Sequence, residues 1–207
     1  MVTMEPETTP TPNPPPTEEE KAESNQEVAN PEHHIKYSLQ NRWTPWCFKN
    51  DKSKTWQANL QLISKFDTVE DFWALYNYIQ ISSNLMPECD YSLFKDGIEP
   101  MWEDGKNKQG GQWLITLHKQ QRQSDLDHFW LETLQCLIGE SFDDHTVVNV
   151  RAEAIWMTEC GHRETVTRIG SVYKGRLGLP PNTVTGYQSH ADTTTKSSSS
   201  TNKRFVV

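Results

Sequence analysis

The sequence predicts an α+β domain with a largely antiparallel sheet and helices on one face. Three observations carry this reading. Strand-like and helix-like stretches are mixed without the regular alternation that builds a parallel sheet. Apolar residues concentrate in the middle of the 207 residues, a length that suits one domain plus a tail. The eight tryptophans also lie in that middle stretch. A small domain cannot easily bury so many, so about half are assigned to the core and the rest to binding surfaces.

Residues 1–33 read as a disordered tail. Pro10, Pro12, Pro14, Pro15 and Pro16 precede the acidic run Glu18–Glu20, and such a segment buries too little apolar surface to offset its ordering entropy. The folded domain is placed at 34–190. Ser38–Asn50, with Leu39, Trp43, Trp46 and Phe48, reads as a strand, and Asp51–Trp56 as a polar loop ending in an aromatic. Thr68–Gln80 is a predicted helix: Thr68 and Asp71 form a capping pair, and Phe72, Leu75, Tyr76 and Ile79 share one face. Val69 and Trp73 sit at the edge of that stripe. Cys89–Phe94 and Gly111–Leu117 read as strands joined by the loop 97–110. Ser124–Ile138 is a second helix, with Ser124 and Asp127 as its capping pair and Gly139 as its C-terminal cap. Leu126, Trp130, Leu134 and Leu137 face one way; Leu131 faces another, with Gln135 one turn beyond it. Val147–Arg151 and Ala154–Thr158 form a short hairpin. Arg163–Leu177 is a third helix, stopped by Gly178 and Pro180. Residues 191–207, rich in Ser and Thr, are expected to be flexible.

Composition narrows the function. The net charge of −8 is the opposite of a general nucleic-acid binder's basic footprint, so any nucleic acid is held locally. Cys47, Cys89, Cys136 and Cys160 lack CxxC spacing, which argues against zinc. No run reaches membrane-spanning length and no leader pattern opens the chain, so a cytoplasmic or nuclear protein with reduced thiols and no membrane partner is expected. Glu103 and Asp104 are adjacent rather than placed across a cleft, and His118, His128 and His145 show neither nucleophile nor ligand spacing. Neither an enzyme nor a cofactor is expected.

Trp56 closes a charged loop with no apolar neighbour in sequence. Trp102 lies among turn formers in the stretch 97–105, beside Glu103. Two indole faces can clamp a flat ligand, and they favour a cationic ring by roughly 0.5–2 kcal/mol. A methylated guanine is such a ring. Glu103 can accept hydrogen bonds from its edge, and stacking plus edge recognition is how unpaired bases are read. Paired tryptophans beside an acid also suit sugars, so a carbohydrate-binding domain stays open at this point.

Five stretches go further: Asn41–Trp43, Asp51–Trp56, Thr68–Tyr76, Gly97–Asp104 and Gly186–His190. Through them, and through the tail Glu5–Pro14, the chain resembles the eukaryotic translation initiation factor 4E family of messenger-RNA cap-binding proteins, vertebrate type. The resemblance spans the whole chain. It implies a curved antiparallel sheet backed by three helices on one face. It implies that Trp56 and Trp102 sandwich the 7-methylguanosine base of capped mRNA, that Glu103 grips its edge and that Trp156 touches the methyl group. It also implies a helix-side surface of Val69, Trp73, Leu131 and Glu132 for a helical motif of the scaffold factor 4G and the 4E-binding repressors. The chain would then act as a monomer within a complex that recruits mRNA for translation initiation. Ser199 matches a regulatory phosphorylation region by position from the C-terminus.

The chain departs from the family pattern where phosphates are held. Gln112 follows the paired glycines where a basic residue belongs. Arg151 is kept as a phosphate ligand, but Glu153 stands where a lysine is expected. About four residues are missing at the 151–155 turn and about six before Val147, and an even loss preserves strand alternation. Ala152-Glu153 is a poor tight turn, so local strain or fraying is expected there. On the helix side, Tyr37-Ser38-Leu39 replaces His-Pro-Leu, and Gln135 replaces a leucine. These changes predict weak cap binding with the base preference kept. The alternative is a cap-impaired paralogue that serves as an interaction module or decoy.

Overall fold

The computed structural model describes residues 35–115, 124–142, 147–151, 154–159, 161–191 and 204–207, with the backbone alone for 147–151. The tail 1–33, the turn 152–153 and Ser199 lie outside the described residues, as does the side chain of Arg151. One compact unit runs from Ile35 to Val207.

Nine strands form one antiparallel sheet among the described residues. They are β1 (Ser38–Lys49), β2 (Leu60–Leu62), β3 (Phe66–Thr68), β4 (Cys89–Lys95), β5 (Gly111–Leu114), β6 (Val147–Arg151), β7 (Ala154–Met157), β8 (Gly186–Ser189) and β9 (Phe205–Val206). The order across the sheet is β2-β1-β4-β6-β7-β5-β8-β9, with β3 also on β1. Three long helices, α2 (Val69–Tyr78), α3 (Leu126–Ile138) and α4 (Arg163–Arg176), follow a four-residue helix α1 (Trp56–Asn59).

Alternation along the strands separates two faces. Trp43, Leu93, Trp113, Ile155, Met157 and Tyr187 point to the helix side and pack with Phe72, Trp130, Leu134, Ile169 and Tyr173 in the main core. Gly170 makes this fit possible: a Cβ there would lie 2.5 Å from the Trp113 ring, whose Nε1 donates to the Val166 carbonyl at 3.0 Å. A smaller cluster of Phe94, Ala154 and Trp156, with Trp46, Ile98 and Leu114 packed on it, lies on the face opposite the three long helices. Pro45 sits within β1, where a missing N–H normally breaks a ladder. Its carbonyl faces Ile63, so its nitrogen faces the stretch between β2 and β3, where β1 has no strand partner.

The capping expectations hold at the start of α2 and the end of α3 but not at the start of α3. Thr68 caps α2 through the Asp71 N–H at 3.2 Å, but the Asp71 carboxylate accepts from the Thr68 hydroxyl and from Lys36 instead of reaching a backbone N–H. At α3 the Ser124–Asp127 pair is not formed. Asp125 is the N-cap, and Asp127 accepts from the Ser83 backbone and hydroxyl. Gly139 is the C-cap of α3, as its position predicts, at φ −87°, and the residue after it, Glu140, takes the positive φ of 49°. Its carboxylate has use for that turn, reaching Asn41 and lying 3.7 Å from Lys95. Within 191–207 the flexibility expected of the segment does not extend to its end, because Phe205–Val206 pair with β8 and Val207 exchanges backbone bonds with Thr185. The arms of the 147–158 hairpin pair in register from Asn149–Trp156 to Arg151–Ala154.

Candidate functional site

The face opposite the three long helices is framed by two loops built alike. In the first, Asp51 Oδ1 accepts from the Ser53 N–H and hydroxyl, which holds its carboxyl below the usual range. Asn59, 5% exposed, donates back across the loop to the Asp51 carbonyl at 3.0 Å. Thr55 caps α1 by accepting from the Ala58 N–H. Trp56 therefore opens a capped helical turn on a fixed base. It is half-buried and meets Phe48 with ring centroids 5.7 Å apart.

In the second loop, Asp104 accepts from the Glu99 and Lys106 N–H groups. The fully buried Asn107 donates back to the carbonyls of Glu99 (3.0 Å) and Met101 (2.7 Å). Trp102 and Glu103 ride between these anchors. Trp102 is 39% exposed, and Glu103 is exposed beside it. The two loops enter from opposite ends of the β1–β4 pair. The Trp56 loop follows Lys49, which pairs with Cys89, and the Trp102 loop follows Lys95, which pairs with Trp43.

Trp156 rises from β7 between them. Its register partner is Gln112, which is paired in turn with Gln188, so the three form a row across β7, β5 and β8. Trp156 is 6% exposed, with Phe94 at 5.8 Å on an edge-on ring contact and His190 at 4.5 Å. Burial pushes the His190 imidazole down to about 4. The indole N–H groups of Trp46 and Trp156 are buried without partners among the described residues, and Trp43 on the core face shares that state. The deficit thus falls on both faces of the sheet and does not mark the site. From Thr44 to Phe48 of β1, and on β4, β5, β7 and β8, the described side chains of this face include no lysine or arginine. Arg151 occupies a position of this face beside Ser92 on β4.

On the helix side, Trp73 is 36% exposed and meets Phe72 and Tyr76 edge-on. Val69, Leu131, Glu132 and Gln135 are half-buried, so Leu131 is not turned fully outward: it also packs against the core. The Val69 N–H donates to the Tyr37 carbonyl at 2.9 Å, which sets the Tyr37–Leu39 stretch beside the start of α2.

Sequence reasoning missed Asn59, Asn107, His190 and Gln188. The asparagines sit among polar loop residues, where nothing marks one as buried. Gln188 shares the period-two alternation of β8, a signal that was available, whereas His190 lies just beyond that strand and carries no such signal.

The family model of eukaryotic initiation factor 4E matches residues 38–205. The chain is 77% identical to the translation initiation factor 4E of Bos taurus over 217 aligned positions, which cover all of both chains. Two solved structures share its fold with TM-scores of 0.76 and cover 84% of this chain. One is Ascaris suum eIF4E-3 with an m2,2,7G cap, 39% identical with 99% of its chain covered. The other is C. elegans eIF4E-3 with the 4E-binding protein Mextli and a cap analog, 37% identical with its whole chain covered. The chain belongs to the eukaryotic initiation factor 4E family.

Proposed function

We propose that the face opposite the three long helices reads the 7-methylguanosine cap of mRNA, and that the α2–α3 side takes a helical motif of a scaffold factor or 4E-binding repressor, so that capped mRNA is recruited for translation initiation. Trp56 and Trp102 stack on the two sides of the base, and their electron-rich faces favour its positive charge. Glu103 accepts from the guanine edge in charge-assisted bonds. Trp156 contacts the methyl group. On the other side, Trp73, Val69, Leu131 and Glu132 form the docking surface. The observation that supports the cap reading best is the matched pair of asparagine-pinned loops, each presenting a tryptophan at the edge of a face that already carries Trp156. Cytoplasmic and nuclear residence, and phosphorylation at Ser199, belong to the same proposal and are supported by family membership alone.

Titration of tryptophan fluorescence with 7-methyl-GTP and GTP tests it. The methylated nucleotide should bind tighter, yet more weakly than to relatives with basic residues at these positions. Equal affinity for the two overturns the base reading. That the described side chains of this face on β4, β5, β7 and β8 include no lysine or arginine favours a second reading, an interaction module that has lost the cap. Capture by a 4E-binding peptide with no response to any cap analogue would establish it.

A further inference from the structure

We propose that His190 is a positioning residue for Trp156 and thereby sets the preference for methylated over unmethylated guanine. The proposal rests on the base-reading assignment above. The Trp156 indole is wedged between two rings: Phe94 meets it edge-on (75°), and His190 lies against it tilted by 54° with centroids 4.5 Å apart. Both Trp156 and His190 are nearly inaccessible, at 6% and 4% exposure. The indole cannot turn without displacing one of these neighbours, and cores tolerate such shifts poorly.

The backbone of His190 is held as firmly as its ring. Its N–H donates to the Gly110 carbonyl at 3.1 Å, and the Gly110 N–H donates to the Asn107 carbonyl at 2.9 Å. Gly110 is itself pressed against β7, where a Cβ would lie 1.6 Å from the Met157 carbonyl oxygen. One residue therefore ties the strand bearing Trp156 to the base of the loop bearing Trp102 and Glu103. Contact between an indole and a methyl group is a dispersion contact, and a gap of 0.5–1 Å forfeits a quarter to a half of it. Loosening Trp156 should therefore cost the methylated ligand more than the plain one. Burial keeps the imidazole neutral near pH 7, so the brace adds no positive charge beside a cationic base.

The test uses the full chain and two substitutions, His190→Leu, which keeps volume without a ring, and His190→Phe, which keeps the ring. The readout is the ratio of dissociation constants for GTP and 7-methyl-GTP, with a thermal melt alongside. In His190→Leu the ratio should fall by about two- to tenfold, the scale of one aromatic pair, while His190→Phe retains it. Should His190→Leu fail to fold, His190→Asn supplies the second ringless variant. An unchanged ratio in the ringless variants, equal weakening of both nucleotides, or a loss in His190→Phe matching that in His190→Leu overturns the proposal and leaves the base reading in place. A wild-type chain that binds neither nucleotide overturns both.

Discussion

Gln112 stands between Trp156 and Gln188 in one row of the sheet, so an amide occupies a position where a guanidinium could meet a phosphate. A charge-assisted bond is worth about 1.5–3 kcal/mol. Gln112→Arg should therefore tighten 7-methyl-GTP by about 10- to 150-fold and steepen its dependence on salt, with little change for 7-methylguanosine itself; parallel titrations at two ionic strengths check this. His190 gives a second prediction at this scale. Its folded-state pKa of about 4 lies below the ordinary 6.5, so between these values the unfolded chain binds a proton that the folded chain does not. Stability then rises with pH across that window and falls as the solution is acidified from 6.5 to 4. Denaturant unfolding at several pH values should show this slope in the wild type and a shallower one in His190→Phe. Of these two residues, Gln112 was legible in the sequence as a departure from a pattern. The role of His190 was not, because burial against Trp156 depends on two strands brought together by a third.

The two tryptophan loops show what an element-level reading gains and misses. Their composition exposed them as loops and singled out their aromatics, because a tryptophan among turn formers has few apolar neighbours to bury it. What fixes them in place is a buried asparagine in each, which spans back to a carbonyl at the loop's start. Asn107→Ala removes its hydrogen bonds to the Glu99 and Met101 carbonyls, each worth about 0.5–1.5 kcal/mol, while both carbonyls keep a backbone partner. A lower melting temperature is expected, together with weaker 7-methyl-GTP binding, since Trp102 and Glu103 ride on that loop. Asn59→Ala, which removes one bond, should do less of both. The α3 terminus makes the complementary point. Gly139 caps the helix as the local rule predicts, but Asp127 is claimed by Ser83 and the left-handed turn falls to Glu140. Local propensity placed the helix to within a couple of residues, and tertiary partners chose its ends.

Across the whole molecule, the sheet divides the two proposed binding tasks between its faces. Strand alternation sends Trp113, Ile155 and Tyr187 into the helix-side core while Trp156, Gln112 and Gln188 stay on the other side. That division was legible before the structure, because mixed strands and helices imply one covered and one open face. The closure of the sheet by Phe205–Val206 was not, since two residues beyond a polar stretch carry no periodic signal. Trp73 lies on the outer helix surface, in ring contact with Phe72 and Tyr76, while the residues proposed to read the base lie beyond a core packed by Trp43, Leu93 and Trp130. Interface tryptophans commonly carry 2 kcal/mol or more, so Trp73→Ala should weaken a 4E-binding helical peptide by about thirtyfold or more. Because Trp73 is 36% exposed, the fold should tolerate the loss. The affinity for 7-methyl-GTP should stay within about twofold, well under the tenfold that 1.4 kcal/mol would bring. Peptide titration by isothermal calorimetry, with and without saturating 7-methyl-GTP, measures both at once. A matching fall in cap affinity would mean that the core transmits between the faces and that the sheet does not insulate them.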